Sequence, residues 1–502
     1  MAHEDALSAI SRAKNAGRSA ADFAESGLGQ WAKNVAAVFE RYEAALQKAN
    51  ALDFDDLIGE TVRLLEHDGV VREAWNRRLR YIMVDEFQDT NPPQYRLIRL
   101  LTEQQANICV VGDDDQGIYS WRGATVQNIA AFTRDYPQVK VIRLEQNYRS
   151  TANIVAGARA LIENNSSRLF KELWTQLPAG DPIGIYAAAN PAEEAAFIAA
   201  CITRFQAASP ADRVAVLYRS SRLSRQIEEA MRRGGLKYKV VRGTSFFQRA
   251  EVKDILAYLR LATGTFDPVC LLRIINKPAR GIGPESVNKI TQYAQEHGIS
   301  VYDAIRQMAG SLRTTPRLRD SLRVLLKTLS DLSPAPLFAL PDILRTIIER
   351  TGYRRMLEQA GDAEDGETRL ENLQELIDMA SEATARGETV QDFLDYMALA
   401  SDADAYDESA LVSLMTIHTA KGLEFPLVFI CGMEEGLFPH NRSLMGPADL
   451  LEEERRVCYV GMTRARGWLI LTRARFRPYS SSSNEASRFL DELPAELVVK
   501  LS

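Results

Sequence analysis

The sequence predicts an α/β protein in which two parallel-sheet domains carry helical accessory domains, and three observations predict it. A leading stretch of helical periodicity gives way to short apolar runs separated by helical segments. A long, almost wholly helical stretch then interrupts that rhythm, and strand-like runs return before the end. A chain of 502 residues is also well beyond what one hydrophobic core organises, so several subdomains are expected.

Residues 1–77 space Ala, Glu, Arg and Leu into amphipathic faces with few Gly or Pro interruptions, which predicts a helical accessory domain. Apolar runs follow at Tyr81–Val84, Ile108–Val111, Val139–Leu144 and Ile183–Ala187, and Val214–Tyr218 continues them. Strands alternating with helices make a parallel sheet, and these divide into residues 78–138 and 139–243. Residues 244–410 read as an inserted helical domain. Strand signals resume at Leu411–Ile417, Leu427–Cys431 and Trp468–Leu471, so residues 411–502 complete the second sheet.

Composition narrows the function classes. A net charge of −6 argues against coating nucleic acid by bulk attraction and leaves a local basic groove open. Arginines cluster at Arg77, Arg78 and Arg80, at Arg219, Arg222 and Arg225, and at Arg464, Arg466, Arg473, Arg475 and Arg477. The first two clusters read as solvated helix faces. The longest apolar runs fall far short of the roughly 20 residues that cross a bilayer, and Met1–Ile10 has no signal-peptide layout, so a cytoplasmic protein without a membrane partner is expected. The five cysteines stand singly in apolar surroundings and read as buried thiols, with no metal cage.

Two segments carry the chemistry. In Tyr81-Ile82-Met83-Val84-Asp85-Glu86-Phe87-Gln88-Asp89-Thr90, adjacent carboxylates follow a buried strand, at the edge where open α/β sheets bind ligands. Asp85 there can hold Mg²⁺ while Glu86 orients and deprotonates the water that attacks a γ-phosphate. After the next strand comes Gly112-Asp113-Asp114-Asp115-Gln116-Gly117-Ile118-Tyr119-Ser120-Trp121-Arg122-Gly123-Ala124. Gln116 can read a γ-phosphate by hydrogen bonding. Tyr119 and Trp121 are either core residues or platforms for bases, each stack being worth about 1–3 kcal/mol.

These segments, with Leu144-Glu145-Gln146-Asn147-Tyr148-Arg149-Ser150, Thr416-Ile417-His418-Thr419-Ala420-Lys421-Gly422-Leu423-Glu424-Phe425 and Glu454-Arg455-Arg456-Val457-Cys458-Tyr459-Val460-Gly461-Met462-Thr463-Arg464-Ala465-Arg466, resemble the successive motifs of UvrD/PcrA/Rep helicases, in order and over essentially the whole chain. The resemblance implies two RecA-like domains, the first incomplete, with ATP and Mg²⁺ between them. It implies an ATP-dependent helicase translocating 3′ to 5′ on single-stranded DNA and engaging single/double-strand junctions. Tyr148 would stack on adenine, Glu424 would meet the ribose, and Arg149 and Arg464 would neutralise the transferring phosphoryl group. Single-stranded DNA would cross Phe54, Tyr119 and Trp121, with Arg122 anchoring that wall and His418 on the DNA side. Arg280-Gly281-Ile282-Gly283-Pro284 resembles the family's Gly-Ile-Gly turn, whose free N–H groups contact duplex phosphates. A plain helix–helix connection has much the same sequence.

One part is missing. The reaction needs a Gly-x-x-x-x-Gly-Lys-Ser/Thr loop, and the sequence contains no Gly-Lys dipeptide. Lys421 precedes its glycine and lacks the strand-to-helix context. The resemblance puts that loop ahead of Met1–Trp75, so a chain truncated at its start and unable to hydrolyse ATP alone is expected. The first sheet would then expose an unpaired edge. The alternatives are a subunit of a split motor, whose N-terminal polypeptide is a partner, and a non-hydrolysing single-stranded DNA-binding protein. Retention of Asp85, Glu86, Gln116, Arg149 and Arg464 argues against the last.

Overall fold

The structure, a computed structural model, describes residues 3–26, 29–104, 107–120, 123–125, 127–166, 168–241, 246, 249–332, 339–359, 363–401, 410–477 and 485–502. The chain forms two compact units, residues 1–223 with 409–502, and residues 224–408.

The first unit opens on the expected helices, among them His3–Asn15, Gln30–Ala49 and Asp56–His67. Ala9, Ile10, Ala13, Val35 and Phe39 bury their apolar stripes in one small core. At its rim the Lys14 ammonium meets Glu43, Asp53 and Asp56 at 2.7–2.8 Å and fixes the turn that carries Phe54.

Strands β1 (Ile82–Val84) and β2 (Ile108–Val110) then pair in parallel, Met83 opposite Cys109. Alternation decides their faces. Val84, Ile108 and Val110 pack on Phe87, Tyr95 and Phe132. On the other face Met83 is 81% exposed, and Cys109 beside it is exposed too. Strand β3 (Gln146–Asn147) pairs with β4 (Trp174–Thr175). The strand expected at Val139–Leu144 does not form. Val141, Ile142 and Leu144 are exposed, and an apolar run becomes a strand only where a neighbour accepts its ladder.

The larger sheet of this unit uses β5 (Ile183–Ala188) and β6 (Val214–Tyr218). The next strand, β7 (Tyr238–Val240), falls by its numbering in the second unit. It continues with β8 (Val412–Thr416), β9 (Phe425–Cys431), β10 (Ala465–Ala474) and β11 (Val498–Leu501). Within the unit the order is β11-β5-β10-β9-β6-β8, all parallel. The five residues of β6 are all buried, which explains their unbroken apolar run. One charged group is built into this core: the Arg477 guanidinium holds Glu434 and Glu194 at 2.7 Å, and Glu194 also accepts from Thr472 and the Gly432 N–H.

Among the described residues from Ala250 to Ser401 the second unit is built of helices around one core that includes Ile255, Leu322, Leu344 and Leu376. It also takes in the helix Ser224–Arg233, which sequence texture gave to the preceding sheet. Arg225 corrects the reading of its cluster as a solvated face. It is 1% exposed and paired with Glu375 and Glu382, because its helix lies against the helix Ala363–Ala385. The cysteines need a similar correction: Cys431 and Cys458 are buried, Cys201 and Cys270 are half-buried, and Cys109 is exposed because its strand face is uncovered.

Among the described residues no helix is long and apolar enough to cross a membrane.

Candidate functional site

The loops after β1 and β2 leave the same edge of their sheet, since the strands are parallel. Asp85 and Glu86 follow β1 and are both exposed. Asp85 Oδ1 accepts from the Glu86 N–H at 2.8 Å, leaving its other oxygen to solvent. That hard, accessible oxygen is the donor that Mg²⁺ prefers, so the residues present fit the ion. Glu86 takes a left-handed backbone, φ 50°, which is rare outside Gly, Asn and Asp. Strain of this kind concentrates at functional positions and lasts only where the surroundings impose it.

Two contacts hold the Glu86 carboxylate. Gln88 Nε2 donates to Oε2 at 2.5 Å, and the Lys421 ammonium lies 3.4 Å away. Lys421 also bonds Asp89 at 2.5 Å and the Gln116 carbonyl at 2.8 Å. This lysine, set aside in the sequence as no substitute for a phosphate loop, therefore stands on the Glu86 and Asp89 carboxylates. Burial pushes the Asp89 carboxyl up despite that contact, and Glu86 adds to the rise.

Gln116 sits at the centre. Its Nε2 donates to Asp113 Oδ2 at 2.6 Å, and Arg464 NH2 lies 3.5 Å from its Oε1. Arg456 from the helix Ala448–Met462 donates to the next carbonyl, Gly117, at 2.9 Å.

Arg464 is 2% exposed, and its hydrogen-bond partners are neutral oxygens of Val460, Leu423, Thr463 and Gln116. Burial, followed by the charge of Arg149, lowers its pKa to about 10. A buried cation beside a second cation is a receptor for a polyanion. Arg149 is set next to it by an Asx turn, in which Asn147 Oδ1 accepts from the N–H groups of Arg149 and Ser150, and by Ser150 Oγ on the Ala465 carbonyl. The Arg149 guanidinium pairs with Glu424 at 2.7 Å, which holds that carboxyl below its usual range. Tyr148 is 78% exposed, its ring open for stacking.

Asp113, Asp114 and Asp115 form a tight acidic cluster neutralised by protein cations. Lys171 contacts all three, and Arg168 holds Asp115 through two bonds of 3.1 and 2.7 Å. Burial pulls the Lys171 ammonium down, but the three aspartates outweigh it and the net shift is upward. A raised lysine pKa contributes stability that is complete below the unfolded value near 10.5 and is lost as pH rises through the folded one. Lys171→Met should therefore cost about 3 kcal/mol at neutral pH, because it leaves the half-buried Asp113 and Asp114 without their cation beside the buried Asp115. The check is urea denaturation, and the difference from wild type should shrink above pH 11.

Three residues beyond Gln116, the Tyr119 hydroxyl donates to the His418 carbonyl at 3.1 Å, and the two rings lie 6.2 Å apart. Lys421 stands 5.3 Å from the Tyr119 ring, so one ammonium touches both this aromatic face and the carboxylates. Phe54 is 92% exposed in the turn before the helix Asp56–His67. Trp121 and Arg122 lie outside the described residues.

In the second unit the Arg280 guanidinium donates to the Ile274 and Pro278 carbonyls and the Tyr258 hydroxyl, so it braces the turn from inside. Gly281 has φ 76°, a conformation that favours glycine, and Gly283 precedes the helix Pro284–His297 with no side-chain cap. What this turn offers a phosphate is backbone N–H.

Sequence reasoning missed Gln88, Asp113, Lys171, Lys421 and Arg456 as parts of the site. Four of them stand inside the quoted motifs. Lys171 carries no motif signal.

Residues 2–137 match the UvrD/REP helicase N-terminal domain, and residues 142–475 match the UvrD-like helicase C-terminal domain. Over 99% of its length the chain is 41% identical to the ATP-dependent DNA helicase PcrA of Bacillus subtilis, of which it covers 69%. It is 42% identical over 93% of its length to the ATP-dependent DNA helicase UvrD1 of Mycobacterium tuberculosis, covering 64%. The chain thus spans about two thirds of the length of these relatives.

Proposed function

The chain belongs to the UvrD-like helicase family, and on that premise we propose that it forms the larger part of an ATP-driven motor moving 3′ to 5′ along single-stranded DNA. The observation that carries this reading is the convergence of Glu86, Gln116, Arg149 and Arg464 in one unit, with the Tyr119–His418 contact a few residues along the same loop as Gln116. A protein that only held DNA would need none of the first four.

In this reading Glu86 takes the proton of the attacking water, and Gln116 senses the γ-phosphate. Arg464 and Arg149 neutralise charge on the transferring group, and Tyr148 stacks on adenine. Asp85 holds Mg²⁺, which supplies further charge neutralisation on the phosphates when bound. Glu424 releases Arg149 to the nucleotide and meets the ribose. Tyr119, His418, Phe54, Trp121 and Arg122 face the single strand, and the N–H groups at Gly281 and Gly283 face duplex phosphates at a junction.

The phosphate-binding loop comes, on our proposal, from a polypeptide segment outside these 502 residues. Its strand extends the open edge of the β1–β2 sheet and its helix covers the apolar face left open at Met83 and Cys109, with Tyr81 at 78% exposed beside it. Such a face invites a covering layer. The absence of a Gly-Lys dipeptide also favours a second reading, a single-stranded DNA-binding protein without turnover.

Strand displacement separates the two. With the phosphate-loop segment and ATP present, a duplex with a 3′ single-stranded tail should be unwound and one with a 5′ tail should not. Binding to both without ATP-dependent displacement of either would establish the second reading.

A further inference from the structure

The base and the phosphate sensor come from different loops, yet one buried amide joins them. Gln88 is 1% exposed. Its Oε1 accepts from the Asp113 N–H at 2.9 Å, and because a backbone N–H can only donate, the oxygen end must face it. The amide nitrogen is thereby turned to Glu86 and donates to its carboxylate at 2.5 Å. From Asp113 the chain runs on, its carboxylate accepting from Gln116 Nε2 at 2.6 Å. Residue 112 keeps the space open: a Cβ at Gly112 would fall 2.8 Å from Gln88 Oε1. Backbone bonds of 3.0 Å from the Phe87 N–H to the Val111 carbonyl and 2.8 Å from the Val111 N–H to the Val84 carbonyl hold the two loops at this spacing.

We propose that Gln88 is a positioning residue of the hydrolytic site, holding Glu86 and Gln116 in register as one hydrogen-bonded unit through Asp113. It touches no nucleotide. It sets where the base points, and it ties that direction to the loop that also carries Tyr119. The strained backbone of Glu86 leaves its carboxylate dependent on such contacts, since the side chain is otherwise half exposed. This inference rests on the roles given above to Glu86 and Gln116.

Two variants separate the two ends of the amide. Gln88→Met fills the same volume and removes both bonds. Gln88→Glu keeps an acceptor for the Asp113 N–H and loses the donor to Glu86. In the 502-residue chain with the phosphate-loop segment, both should lower single-stranded-DNA-stimulated kcat by about 10²-fold, the scale of a misplaced catalytic group. KM for ATP and Kd for the single strand should stay within about twofold, because nothing that binds them has been removed.

A second readout needs no turnover. Amide exchange at Asp113 in the 502-residue chain should accelerate in Gln88→Met and stay near wild type in Gln88→Glu. The proposal is overturned if kcat in either variant is close to wild type, if KM rises as far as kcat falls, or if Asp113 exchange is unchanged in Gln88→Met. A wild-type protein without DNA-stimulated turnover would count instead against the helicase reading, and the exchange readout would then decide the Gln88–Asp113 bond by itself.

Discussion

Arg464→Met is expected to lower DNA-stimulated ATP turnover by roughly 10³- to 10⁵-fold, the range observed when an arginine is withdrawn from a phosphoryl-transfer site. The same substitution should leave thermal stability unchanged or raise it. The guanidinium is buried among neutral oxygens with Arg149 beside it, and its pKa falls to about 10. A base whose folded pKa lies below its ordinary value is penalised in its charged form at every pH beneath the folded pKa. Arg464 is therefore held at a cost to the fold that the charges of Glu86 and Asp113 offset only in part, and an anionic ligand would offset more of it. Loss of turnover accompanied by loss of stability would place Arg464 in the scaffold. Calorimetry beside a phosphate-release assay distinguishes the two outcomes.

Glu86→Gln should abolish turnover to a similar degree, by about 10²- to 10⁴-fold, since a glutamine cannot accept the proton of the attacking water. The expected signature is a loss confined to kcat, with single-stranded DNA binding intact. Glu86 follows β1 in the proposed nucleotide site, whereas the contacts proposed to face DNA are those of Tyr119 and His418. Unchanged turnover would remove Glu86 from the base role and turn attention to Asp89. That residue is the other carboxylate on Lys421, and its Oδ1 is buried without a hydrogen-bond partner.

The outline of this protein was legible from residue patterns because its larger sheet is parallel and its central strands are covered. Val214–Tyr218 reads as a strand since every residue in it is buried, and Leu427–Cys431 for the same reason. Val498–Leu501 escaped notice because two of its four residues are exposed and a lysine interrupts it, as suits a strand at the sheet edge. Val139–Leu144 misled in the opposite sense, having strand composition without a partner strand. Composition reports what a segment would pair with and says nothing of whether a neighbour is there.

The site divides along the same line. Asp85, Glu86, Gln116, Arg149 and Arg464 stand in long motifs and could be named from them. Their supports could not, because each acts across the fold. Lys171 reaches the aspartates from a segment without regular structure, Lys421 crosses to Asp89 and Gln116, and Arg456 crosses to Gly117. Glu424 shows the limit from the other side. Its expected place at the ribose is a statement about a ligand, while the structure pairs it with Arg149.

On the function proposed above, these 502 residues hold the hydrolytic half of a DNA-driven motor and take their phosphate loop from outside them. The most direct test is phosphate release from ATP with Mg²⁺ and single-stranded DNA, measured on the chain alone and again with the phosphate-loop segment supplied. No release is expected from the chain alone, and DNA-stimulated release is expected once the segment is added, abolished by Glu86→Gln. Release by the chain alone that Glu86→Gln removes would contradict the need for an external loop. Absence of release with the segment bound would contradict the motor itself.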